Sequence, residues 1–348
     1  MKNGNFLSLI AVENIKLWKR FSTKLMLLIM VAIIFGFTGL MKAEESLIKS
    51  QQDATSGSSV TVTTQTNSSQ GASTSQKLNW KQQLSANDVG LKQTIKTMEK
   101  SKYQNQKNDL DSMKKQLAEN EYRIKHNLKS EKENGYWDWV ATFGYGMFAA
   151  LLAIIACSGL VAGEFSENTM KSMICRPFSR WQILTAKFIA VFAYSLIIMV
   201  VGYLSLLVAV AAFLGTGGAN TPMLLWIGGS IVRVSGFAGS LITNGLDFLV
   251  VLVYLILAFA LSAIFRSRAL STGVSIFLML GGSFTTLLAR NFSWGKFIFF
   301  ADTGFSNFVI SGAPFFGITL GLALAICAVY CVGFLIAGYL TFAKRDVA

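Results

Sequence analysis

Six mainly apolar runs, separated by polar, charged or glycine-rich segments, set the pattern of this chain. They fall at residues 25–41, 137–162, 183–214, 246–265, 269–289 and 314–342. Crossing a bilayer as a helix takes about 20 apolar residues. The pattern predicts an all-α polytopic membrane protein with six transmembrane helices.

The segments between the runs are of different kinds. Residues 1–24 read as a cytoplasmic amphipathic helix lying in the membrane interface. Phe6, Leu9, Ile10, Leu17, Trp18 and Phe21 supply its apolar side, and Lys16, Lys19, Arg20 and Lys24 make its end basic. The charged region is too long for a signal peptide, and Leu40-Met41-Lys42-Ala43 is a poor cleavage site.

Residues 42–136 are expected outside the membrane as a largely helical or disordered insertion between the first and second spans. Within them, residues 50–76 are rich in Ser, Thr, Gln, Asn and Gly, the composition of a disordered linker. Residues 88–133 carry a thin apolar stripe at Leu91, Ile95, Met98, Leu110, Met113, Leu117, Ile124 and Leu128. That spacing predicts one long helix or a helical hairpin. Tyr136, Trp137 and Trp139 then mark an aromatic belt at the start of the second run.

Residues 215–245 and 290–313 read as extracellular or re-entrant segments, 266–268 as a cytoplasmic turn and 343–348 as a cytoplasmic tail. Basic residues before the first span and at the chain's end place both termini in the cytoplasm. Arg233, Arg290 and Lys296 are exceptions to this positive-inside arrangement.

The segment 163–182 is the most organised of the connections. Apolar Phe165, Met170, Met173, Ile174, Phe178 and Trp181 alternate with Glu164, Glu167, Asn168, Lys171 and Arg176, as on a short amphipathic helix. Pro177 disfavours helical backbone at Arg176 and so ends it. Ser179 is then an N-cap with Gln182 three residues on, and Phe178 and Ile183 occupy the positions of a hydrophobic staple. The result is a sharp elbow between a surface helix and the third span, able to turn a push on the one into a tilt of the other.

Composition agrees with a membrane protein. Of 348 residues only 14% are charged, against about 25% in a soluble domain. The net charge of +13 sits in juxtamembrane segments and the polar insertion, which is not the footprint of a nucleic-acid-binding face. Cys157, Cys327 and Cys331 fall in apolar runs and Cys175 in the elbow segment. Cys327 and Cys331 share a helix face, where packing is the simpler role than metal binding.

The elbow is recognisable. The run Glu164-Phe165, Thr169, Lys171, Arg176-Pro177, Ser179-Arg180 and Lys187 resembles the membrane subunits of the type-2 ABC exporter permease family. The basic amphipathic start, the six spans and the final Lys344-Arg345-Asp346 extend the resemblance to nearly the whole chain outside residues 42–136. The family often has glycine where this chain has Asn168.

In that family the corresponding loop is a coupling helix docked into the ATPase. The resemblance therefore implies that Glu164, Phe165, Thr169, Lys171, Arg176, Pro177, Ser179 and Arg180 form an ATPase-coupling surface. It implies a multi-pass plasma-membrane protein, with two ATPase subunits and a second permease copy or paralogue as partners besides lipid. This chain has no GxxxxGK[ST] phosphate loop, so ATP and magnesium belong to a separate polypeptide.

No catalytic, cofactor or metal residues are expected. The single histidine, His126, lies in the polar insertion, and no span carries a carboxylate pair or an HExxH run. Nearly charge-free spans lined by Ser, Thr and Gly suit a hydrophobic or amphipathic cargo, such as an antimicrobial peptide or drug. The alternative is a membrane-anchored receptor or sensor that uses the helical insertion as a binding module.

Overall fold

The computed structural model describes residues 6–55, 80–99, 104–128, 135–166, 178–265, 267–289, 292, 294–311 and 318–344. Most of them are helical. In chain order the helices are α1 (Phe6–Lys19), α2 (Phe21–Thr55), α3 (Trp80–Met98), α4 (Gln104–Lys125), α5 (Tyr136–Thr142), α6 (Gly146–Ser166) and α7 (Arg180–Phe213). There follow strands β1 (Met223–Ile227) and β2 (Ser230–Val234), then α8 (Gly236–Phe265), α9 (Arg268–Ala289), α10 (Phe305–Ile310) and α11 (Leu320–Lys344).

Among the described residues five segments are long and apolar enough to cross a bilayer: Phe21–Glu44, Tyr136–Glu164, Arg180–Phe213, Gly236–Phe265 and Leu320–Lys344. This is a membrane-embedded protein. The apolar part of α9, Arg268–Gly282, is shorter than the other five.

The helix α6 is the hub. Its apolar window is 78% buried, against 17% for those of α2 and α11. The reason is side-chain size: Ala149, Ala150, Ala153, Cys157 and Ser158 are fully buried along it. Small residues let neighbouring backbones approach, which is how helices associate where lipid supplies no hydrophobic drive. At Gly202 of α7 the approach is close, since a Cβ there would stand 2.7 Å from the Tyr145 ring and 3.0 Å from Met30. Tyr145 is itself held by donating its hydroxyl to Met199 O at 3.3 Å.

Several boundaries differ from the sequence reading. The chain breaks at Arg20, so that α1 stops short of residue 24 and α2 begins at Phe21. That second helix then runs on to Thr55, past the end of its apolar stretch. The helix expected to start at residue 246 starts at Gly236, which puts Asp247 well inside it rather than at its beginning.

Residues 223–234 form a two-stranded antiparallel hairpin, with Ile227 paired to Ser230. The intervening Gly228 and Gly229 have φ of 61° and 83°, the backbone of the tight primed turn that matches strand twist. Met223 and Leu225 tuck the hairpin against Ala141 and Val309.

The stripe of the insertion belongs to a helical hairpin. Asn120 donates to Asp88 at 2.7 Å, while Lys92 pairs with Glu121 and Lys114 with Glu99. The partner of Glu99, past the end of α3, lies earlier on α4 than those of Asp88 and Lys92, so the two helices are antiparallel. Ile95 is buried in their seam. Cys157 and Cys327 are buried among apolar side chains, and Cys175 lies outside the described residues.

Overpacking the hub tests this arrangement. Gly202→Val is expected to destabilise the protein by about 1–3 kcal/mol, read as a lowered unfolding temperature in detergent. Gly163→Val provides the control, because a Cβ at Gly163 meets nothing within 4 Å.

Candidate functional site

From Phe178 on, the elbow has the predicted cap and staple, and the surface helix expected before Pro177 lies outside the described residues. Ser179 caps α7 with its Oγ accepting from Gln182 N at 3.3 Å, and Gln182 Oε1 accepts from Ser179 N at 3.0 Å. Phe178 and Ile183 meet in one apolar cluster with Leu9 and Ala186, so the staple is completed by a residue of α1. The far end of the chain also holds the elbow. Arg180 Nη1 donates to Ala343 O at 3.4 Å, and Trp181 stacks on Tyr339 with ring centroids 5.0 Å apart. Thr185 and Tyr339 share a hydroxyl hydrogen bond of 3.0 Å.

One turn further into α7 lies a feature the sequence reading missed. Lys187 is fully buried, and its Nζ lies 2.9 Å from Glu13 Oε2 of α1 and 2.6 Å from Glu164 Oε2 of α6. Lys16 closes the ring, 3.0 Å from Glu13 Oε1 and 3.2 Å from Glu164 Oε1. Two carboxylates and two ammonium groups thus join three helices in a cluster of zero net charge. Beside it Arg20 Nη1 donates to Gly159 O at 2.7 Å, fixing the break between α1 and α2 on α6.

The burial explains the charge states. Burial by itself would raise the Glu13 carboxyl, but Lys187 and then Lys16 outweigh it and hold the group below its ordinary value of 4.5. Burial likewise works against the Lys16 ammonium. Glu164 and Glu13 outweigh it and raise the group above its ordinary 10.5.

A signal for the cluster existed. Leu9, Glu13 and Leu17 are spaced four apart and are all buried, so Glu13 interrupts the apolar face of α1 rather than joining its polar one. Lys187 is likewise a single charge in an apolar run. Neither residue alone names its partner.

The expected coupling residues fare differently. Glu164 turns its carboxylate inward onto Lys187 and Lys16 and is only 4% exposed, so it anchors the segment rather than presenting a surface. Phe165 lies in the last turn of α6. Ser179 and Arg180 sit at the elbow as described, whereas Thr169, Lys171, Arg176 and Pro177 lie outside the described residues.

Residues 110–348 match the family described as "Protein of unknown function (DUF2705)". The chain belongs to that family. Two relatives come from Bacillus subtilis (strain 168). This DUF2705 member is 34% identical to the "Uncharacterized protein YhcI" over 275 residues, which cover 77% of this chain and 85% of the relative. It is 28% identical to the "Uncharacterized membrane protein YdbK" over 200 residues, covering 56% of this chain and 76% of the relative. The matched family region begins within α4 and so contains the elbow, Glu164 and Lys187 but not Glu13 or Lys16.

Two measurements check the cluster. Lys187→Met leaves two buried carboxylates sharing one ammonium, that of Lys16, and is expected to cost about 3–5 kcal/mol. Adding Glu13→Gln should restore part of that loss, and an unfolding temperature that falls additively instead would mean the pair does not interact.

The pH dependence has a defined sign. The Glu13 contribution is complete above 4.5 and is lost as pH falls through its lowered value. The Lys16 contribution is complete below 10.5 and is lost as pH rises through its raised value. The contribution of these two groups to the unfolding temperature should therefore be constant between those limits, with an acid-side fall that is smaller in Glu13→Gln.

Proposed function

We propose that this protein is the permease subunit of an ABC exporter, driven by a separate ATPase that docks on the 163–182 segment. The supporting observation is the buried Glu13–Lys16–Glu164–Lys187 ring. It fastens both ends of that segment, the close of α6 and the start of α7, to the amphipathic helix α1. A force applied there is delivered to two spans and the interfacial helix together.

On this reading α9 also crosses the membrane, as the fifth of six spans, and the elbow and both termini lie on the cytoplasmic side of a bacterial plasma membrane. Two ATPase chains bind ATP and magnesium, and a second permease copy or a paralogue completes the path. The cargo is hydrophobic or amphipathic, of the kind represented by peptide antibiotics. Arg180 has a double role, since it also ties the elbow to Ala343.

A sensor reading draws on a different observation. Lys115 of α4 lies over the Trp226 ring of β1, 5.9 Å from its centroid, so the helical insertion touches a hairpin packed on the bundle. On that reading the insertion is a receiving module for the same transporter.

The test is co-purification of the full-length protein with an ABC ATPase, followed by ATP hydrolysis and transport in lipid. Arg176→Glu/Arg180→Glu should lose most of the bound ATPase while reaching the membrane in normal amount. Arg180→Gln separates loss of the Ala343 tie from charge reversal. Full transport by the double variant would overturn the coupling role, and no ATPase bound by the wild type would overturn the transporter reading.

A further inference from the structure

At the bundle end remote from the charge ring, a cleft of about 510 Å3 opens between Trp137, the loop at Asn220–Thr221 and the start of α8. Arg233 lines it. No acidic side chain does, and the exposed Arg233 guanidinium makes no ion pair or hydrogen bond among the described residues. An arginine that departs from the positive-inside pattern and has no internal partner leaves its donors open to an external anion.

The walls are set in advance. Trp137 Nε1 donates to Ala219 O at 2.7 Å. The ring lies so close over Gly236 that any Cβ there would overlap it. Phe237 meets its edge at 5.9 Å between centroids. Ser235 caps α8, its Oγ accepting from Ala238 N at 3.3 Å.

The depth of the cleft indicates the kind of anion. From Lys187 to Leu207 the helix α7 rises about 30 Å, which is the thickness of the hydrocarbon core. Leu207 O accepts from the hydroxyl of Tyr136, the neighbour of Trp137. The cleft therefore lies one hydrocarbon thickness from the ring, at the level of lipid headgroups. Beside it Phe237 and Leu241, one turn apart on α8, are 51% and 45% exposed. They continue the cleft as an apolar track pointing along the helix toward the membrane interior.

We propose that this cleft binds an anionic phospholipid, with the phosphate on Arg233 and one acyl chain along Phe237 and Leu241. The planar guanidinium offers paired donors to phosphate oxygens. Asn220 and Thr221 supply polar surface around the headgroup. A free phosphate would use the arginine and leave the apolar track unused. The assignment does not depend on ATPase coupling.

The experiment is native mass spectrometry of the full-length protein in mild detergent, titrated with phosphatidylglycerol, phosphatidylcholine or glycerol phosphate. Phosphatidylglycerol should be retained in preference to the other two. Arg233→Gln should lower its retention about tenfold, as loss of one charge-assisted hydrogen-bonded contact would. Arg233→Lys should keep part of it, and Leu241→Ser should weaken it with the arginine intact. Lys81→Gln on α3, away from the cleft, should match the wild type. Equal retention by wild type and Arg233→Gln would overturn the site. So would an equal loss in Lys81→Gln, which marks a general charge effect. Retention of phosphatidylcholine to the same extent would overturn the anionic preference, and equal binding of glycerol phosphate would overturn the lipid assignment.

Discussion

Two buried glutamates facing two lysines decide where α1, α6 and α7 meet. Ions taken out of water are tolerated only when their charges cancel and their oxygens and protons are matched. Moving α6 or α7 by a turn would leave a carboxylate or an ammonium stranded, and moving α1 would break its pairs to both. The three helices are therefore bound to one relative position more strictly than apolar contact would bind them, because apolar surfaces can slide and repack. The break at Arg20 follows from the same constraint. It lets α1 lie against the start of α7 while α2 departs along α7 as a span.

The opposite end of the bundle is built on other principles. There the close contacts are aromatic and hydrogen-bonded to backbone. Tyr136 donates to Leu207 O and Trp137 to Ala219 O. Amphipathic rings with one polar atom suit a level where hydrocarbon gives way to headgroups. This end leaves a cleft and an unmatched arginine, whereas the other end leaves its described charges matched.

Local signals in the sequence were legible where one short stretch contains all the partners. The capping box of Ser179 and Gln182, the staple of Phe178 and Ile183, and the apolar stripe of the insertion are of this kind. The hairpin at Gly228-Gly229 was not read: residues 215–245 were expected only as an extracellular or re-entrant segment, although a Gly-Gly pair between two β-rich stretches is a turn signal. The ring was not legible, because Glu13 and Lys187 are 174 residues apart and each alone looks like a misplaced charge. The start of α8 was misplaced because Gly236, Gly239 and Gly245 read as a loop. In the structure Gly236 and Gly239 are the positions that admit Trp137 and Met223. Glycines chosen for close approach look in sequence like glycines chosen for turns.

Magnitudes separate what is rigid from what is tethered. The insertion is held together by exposed pairs such as Lys92–Glu121, with both side chains 54% exposed. Such pairs contribute about 0–1 kcal/mol each. Its contact with the hairpin, Lys115 over Trp226, is worth about 0.5–1 kcal/mol if it is exposed to water. The ring at the elbow is protected by a penalty of about 3–5 kcal/mol for separating its partners. At thermal energy the first set of contacts opens and closes readily, while the second does not. Opening of the Lys115–Trp226 contact is therefore inexpensive. Separation of Glu164 or of Lys187 from α1 is not, so the end of α6 and the start of α7 are held to the interfacial helix.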